Sequence, residues 1–114
     1  MPRNPVRYWD EEIETLDRRS LERLQTERIQ ATLQRASRSD LYRGLFAGRR
    51  IRPDRIRSPA DLRSLPFTTK DDLRRAYPRG MLAVDQRRVV RMHASSGTTG
   101  QSTVIYHTAR DIRH

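Results

Sequence analysis

Val89-Val90-Arg91-Met92-His93-Ala94, then Ser95-Ser96-Gly97-Thr98-Thr99-Gly100, then Thr103-Val104-Ile105-Tyr106-His107 is the run that decides the fold. Its two flanks are rich in β-branched and aromatic residues, the composition of strands. Between them lie four hydroxyl side chains within six residues, punctuated by Gly97 and Gly100. The segment therefore reads as strand–loop–strand. Each hydroxyl can donate a hydrogen bond to a phosphate oxygen. The two glycines permit positive φ and let backbone N–H groups approach an anion closely. The spacing is not that of a Walker A loop, which ends in Gly-Lys-Ser/Thr and opens a helix. On composition alone a plain hairpin loop remains open, because Ser, Thr and Gly are also ordinary turn formers.

Upstream, the chain predicts helices. Ile13 and Leu16, inside the acidic stretch Asp10 to Asp17, allow one short helical turn. Ser20 is the expected N-cap of a longer helix reaching about Ser37, with Leu21, Leu24, Ile29, Leu33 and Ala36 on one half of the wheel. Tyr42, Leu45 and Phe46 form a small apolar cluster ended by Gly48, and Arg49 to Arg57 reads as a connection. Ser58-Pro59-Ala60-Asp61 is a second helix start, soon interrupted by Pro66. Thr69 and Asp72 stand at capping-box spacing for a third, closed by the turn Tyr77-Pro78-Arg79-Gly80. Thr108 and Asp111 repeat the capping pattern just before the last residue, His114. A helix announced there and not continued leads to the expectation that the chain is truncated. Trp9 is expected to pack, and Met1 to Val6 to form an irregular arm.

Composition sets bounds on this picture. The chain has 114 residues, 34% hydrophobic, with a mean hydropathy of -0.93. Typical domains are about 45–50% apolar, so the core is expected to be small and stability marginal. There is no cysteine, hence no disulfide and no thiolate zinc site. No apolar run approaches the ~20 residues of a membrane span, and the N-terminus lacks the apolar stretch of a secretory signal. The expectation is a soluble cytoplasmic protein without a membrane partner. The net charge of +10 raises the alternative of a small basic module binding nucleic acid or protein. Against nucleic acid, the arginines are scattered from Arg3 to Arg113 and are not interleaved with aromatics as a stacking platform requires.

Tyr8-Trp9, Leu24-Gln25 with Glu27-Arg28, PFTTKDDLR from Pro66 to Arg74, the YPxG turn at Tyr77 to Gly80, and HASSGTTG from His93 to Gly100 occur in that order. Taken together, they resemble the phenylacetate–CoA ligases, a branch of the adenylate-forming acyl-CoA synthetases. The similarity runs from about Tyr8 to Asp111. It implies an α/β fold: N-terminal helices followed by a strand–loop–strand unit, an incomplete piece of a large N-terminal AMP-binding domain spanning 1–114. It also implies ATP, Mg²⁺ and coenzyme A as cofactors and an aromatic carboxylic acid, phenylacetate, as substrate. In the family the acid is joined to AMP with release of pyrophosphate, then passed to the coenzyme A thiol. Loop donors and Mg²⁺ offset the charge of that step. By this resemblance Ser95, Ser96, Gly97, Thr98, Thr99 and Gly100, with Thr103 nearby, hold the ATP phosphates.

The chain departs from the family pattern in three places. Gln101-Ser102-Thr103 stands for Lys-Pro-Thr, which replaces a charge-assisted donor with a neutral one roughly half as strong. Tyr106-His107 stands for Gly-Tyr, and Asp40-Leu41 precede Tyr42 without the usual proline. The family's acid pocket, adenine pocket, metal-binding glutamate and catalytic lysine have no counterparts in these 114 residues. No residue is therefore assigned a catalytic or metal-binding role. Lys70 reads as structural or solvated, and His93 as a strand residue supporting the loop. Three readings follow: a fragment inactive alone, one part of a split enzyme completed by its missing remainder, or the basic binding module.

Overall fold

The computed structural model describes residues 7–95 and 102–113. The arm Met1 to Val6, the loop positions Ser96 to Gln101 and His114 lie outside the described residues.

Helix α1, Glu11–Glu14, is a single turn. Asp10 caps it by accepting from the Ile13 N–H at 3.1 Å. Helix α2 spans Arg18–Ala36 and is capped by Asp17, not by the expected Ser20. The Asp17 carboxylate accepts from the Ser20 N–H at 3.1 Å and from the Ser20 hydroxyl at 2.6 Å. A carboxylate binding an orphan amide also answers the positive end of the helix, so it displaces the serine as cap. Trp9 does not pack: it is 99% exposed. Its neighbour α1 has no buried residue.

The tight turn Ser37 to Ser39 follows, and Ser39 caps helix α3, Asp40–Gly48. Along the expected apolar face of α2, Leu33 is buried while Leu21 and Leu24 remain half-buried. Leu33 meets Phe46 of α3 and Ile56, flanked by Ile29, Tyr42, Ile51 and Leu65. Ile56 comes from the stretch that reads in sequence as mere connection. A 3₁₀ turn at Pro53–Arg55 carries it inward, and the Gln30 side-chain amide fixes its carbonyl at 2.9 Å. Burial of each such side chain contributes about 1.5–3 kcal/mol. The core is accordingly small.

Both helix starts predicted downstream form. Ser58 and Asp61 open a 3₁₀ helix, Pro59–Ser64, and Thr69 and Asp72 open α4, Lys70–Arg75. Strand β1, Val89–Ser95, then pairs antiparallel with β2, Thr103–Thr108, with a register irregularity between Val89 and Arg91. Helix α5, Ala109–Arg113, leaves directly from β2. Thr108 and Asp111 cap it reciprocally, at 2.7 Å and 3.4 Å, as their spacing predicts. The described architecture is thus helices plus a two-stranded antiparallel sheet.

Candidate phosphate-binding site

The loop is positioned at both ends by the sheet. Ser95 ends β1, Thr103 begins β2, and the two are direct register partners. Their hydroxyl oxygens lie 2.5 Å apart, within hydrogen-bond distance. Whichever hydroxyl accepts keeps its own proton free, so the pair can still present one donor to an anion. Thr103 is buried and Ser95 exposed. The geometry divides their labour: Thr103 clamps the neck of the loop, and Ser95 faces outward at its mouth. Of the remaining expected donors, Ser96, Gly97, Thr98, Thr99 and Gly100 lie outside the described residues, as does Gln101.

Behind this neck, the motifs singled out in sequence tie the sheet to the helices. The Tyr106 hydroxyl donates to the Pro78 carbonyl oxygen at 2.7 Å, linking β2 to the YPxG turn. The Leu41 N–H donates to the Gly80 carbonyl at 2.9 Å, joining that turn to α3. The Tyr42 hydroxyl lies 2.6 Å from that of Thr68, inside the PFTTKDDLR segment. The same segment supplies α4, which packs against β2. Hydrogen bonds from the Thr69 N–H and hydroxyl, with the Arg75 guanidinium, hold the Asp72 carboxyl down at about 2. Asp111 is likewise lowered, first by the Thr108 N–H and then by the Thr108 hydroxyl.

His93 lies on β1 two residues before the loop and stacks edge-on against His107 of β2, ring centroids 4.9 Å apart. That contact is a sheet-supporting one, in line with its sequence reading. Lys70 is an exposed residue in the first turn of α4. Among the described residues no group of three or more His, Asp or Glu side chains is arranged to hold a metal ion. None of their helices is long and apolar enough to cross a membrane.

The chain is 46% identical over 101 residues to phenylacetate-coenzyme A ligase of Escherichia coli (strain K12), an alignment covering 88% of this chain and 23% of that protein. With the ligase of Aromatoleum evansii it shares 45% identity over 103 residues, 90% of this chain and 23% of that one. This chain resembles one segment of the phenylacetate–CoA ligases. The ligase from Thermus thermophilus is 43% identical over 103 residues, again 90% of this chain and 23% of that one. The chain thus spans about a quarter of the length of the curated ligases it matches. No family model matches it. Among solved structures, it superposes on a 2-hydroxyisobutyryl-CoA ligase captured in the postadenylation state with 2-HIB-AMP, with a TM-score of 0.82. That match covers 99% of this chain and 25% of the other at 24% identity, and shows a shared fold.

Proposed function

We propose that residues 95–103 cradle the polyphosphate of ATP within an enzyme that joins phenylacetate, or a related aromatic acid, to coenzyme A. Support comes from 43–46% identity to four phenylacetate-coenzyme A ligases along nearly the whole chain. The observation that carries the assignment to this loop is the Ser95–Thr103 clamp. It holds the two ends of the glycine- and hydroxyl-rich stretch side by side, and donors fixed in advance are what an anionic transition state needs. The donor set fits a phosphate group. Mg²⁺, when bound, would offset phosphate charge, but the described residues contribute no carboxylate cage for it. In this reading 1–114 is part of the AMP-binding domain and lacks acyl-transfer chemistry by itself. ATP, Mg²⁺, coenzyme A and the acid then engage the enzyme only with the rest of the domain in place. Such an activity would operate in the cytoplasm, in the breakdown of phenylacetate.

ATP–pyrophosphate exchange with phenylacetate tests the proposal in two arms. The 114-residue chain alone should give no exchange. The same chain replacing the matching segment of the E. coli ligase should restore it. Exchange by the isolated chain would overturn the fragment reading, and a folded but inactive chimera would overturn the loop assignment.

A further inference from the structure

His93 of β1 and His107 of β2 stand one diagonal apart on the same face of the sheet. Ile105 is the register partner of His93, and His107 lies two residues further along β2. Their ring centroids are 4.9 Å apart and the ring planes meet at 65°. An edge-to-face contact satisfies that distance, and so does a shared metal ion. With metal–nitrogen bonds of about 2.0–2.1 Å, two imidazoles on one tetrahedral ion hold their centroids roughly 5 Å apart. Rings tilted in this way, unlike stacked ones, can each turn a nitrogen toward a common point.

The surroundings select a cation that bonds to nitrogen. Neither ring makes a hydrogen bond or ion pair with another described residue. His93 is exposed and His107 half-buried, so an ion reaches them from solvent and keeps water in its remaining positions. Asp111 stands near His107: its carboxyl is held down first by the Thr108 N–H and hydroxyl and, less strongly, by the charge of His107. That carboxylate offsets part of an ion's charge. Against it, Arg91 faces His107 across the sheet. A guanidinium there disfavours any cation held by charge alone, so the occupant must gain its affinity from coordination. Imidazole suits zinc and its transition-metal neighbours, whereas magnesium and calcium take oxygen ligands.

We propose that His93 and His107 form a two-imidazole zinc site on the hairpin, with water in the ion's other positions and Asp111 nearby as counter-charge. The bound ion would cross-link β1 to β2 next to the Ser95–Thr103 pair and steady the hairpin from which the loop springs. Zinc held by the folded chain and not by the unfolded one stabilises it by mass action. Two protein ligands fall short of the three or four in catalytic and structural zinc sites, so binding is reversible and modest. The inference does not rest on the ATP assignment, and its nitrogen ligands set this ion apart from Mg²⁺ on phosphate oxygens.

Zinc chloride titrated into the full, isotope-labelled 114-residue chain tests the site, with imidazole and amide signals followed by NMR. The His93 and His107 ring signals should move together and saturate at one ion per chain, with slower amide hydrogen exchange in 91–95 and 103–107. Magnesium chloride should leave both rings in place. His93→Gln and His107→Gln should each weaken zinc binding at least tenfold, since loss of a mere supporting partner already costs about 10–100-fold. His114→Gln, which removes the chain's remaining histidine, should leave binding unchanged. Movement of only one of the two rings, wild-type affinity in either ring variant, or zinc binding without added protection would overturn the proposal. So would ring signals unmoved in excess zinc, which would leave the pair an edge-to-face contact and nothing more. Because the paired shifts of the wild-type chain are decisive by themselves, a variant that fails to fold leaves the test intact.

Discussion

Replacing Gly80 with alanine would place a methyl group 2.8 Å from the Ala76 carbonyl oxygen, 3.0 Å from the Ala76 Cβ and 3.1 Å from its Cα. The first of these is closer than a real Cβ tolerates, and the obstacle is backbone, which cannot swing aside as a side chain can. The same carbonyl accepts the Gly80 N–H at 2.6 Å, so relief requires the turn to move away from its own hydrogen bond. The movement also strains Leu41 N–H to Gly80 O and Tyr106 hydroxyl to Pro78 O, which tie the turn to α3 and to β2. Overpacking costs about 1–3 kcal/mol, and each weakened hydrogen bond up to about 1 kcal/mol more. Gly80→Ala should therefore destabilise by about 2–4 kcal/mol. Gly44 sits inside α3 with nothing within 4 Å of its would-be Cβ. There alanine removes the helix penalty of glycine and should stabilise by about 0.5–1 kcal/mol. At a urea slope of about 1.5 kcal/mol/M, the loss of 222 nm ellipticity should move down by roughly 1–3 M for Gly80→Ala and up by roughly 0.3–0.7 M for Gly44→Ala. Shifts of the same sign, or a Gly80→Ala midpoint equal to wild type, would refute this reading of the turn.

Phe46→Ala empties the centre of a three-residue core and should cost about 3–5 kcal/mol, whereas Phe46→Leu should cost less; urea titration of the two variants checks the order. Asp72 has its carboxyl at about 2 in the folded chain against an ordinary 3.8. Its contribution is therefore fully present above about pH 4 and is lost as pH falls toward 2. Helical ellipticity in an acid titration should hold level from about pH 7 to about 5 and fall below, and Asp72→Asn should blunt that fall. In the chimeric ligase, Ser95→Ala should weaken ATP binding about tenfold or more, the loss of a hydrogen bond to a charged group. Gln101→Lys should strengthen binding, and calorimetric titration with ATP reads both.

Much of this fold is legible from short-range chemistry. The pairs Ser58 with Asp61, Thr69 with Asp72 and Thr108 with Asp111 announce three helix starts because each box closes within one turn. The two strands are equally plain in their β-branched composition. What escapes is what depends on competition or on distance. Asp17 and Ser20 both suit a cap, and only the geometry shows the carboxylate winning. Ile56 is apolar amid arginines and prolines, and nothing local says that Gln30 holds its carbonyl against α2. The packing expected of Trp9 fails for a related reason: it depends on distant partners, and the ring stands 99% exposed beside a one-turn α1 with no buried residue. At the loop, sequence points to the hydroxyls but not to the contrast between a buried one, Thr103, and an exposed one, Ser95, paired across the sheet.

The turn between β1 and β2 is proposed to receive polyphosphate. Amide chemical shifts of the isotope-labelled chain, followed during separate titrations with Mg-ATP, pyrophosphate and adenosine, test that claim most directly. The expected result is that ATP and pyrophosphate move the amides of 95–103 while adenosine leaves them in place. Shifts confined to residues outside 95–103, or none at saturating ATP, would contradict it.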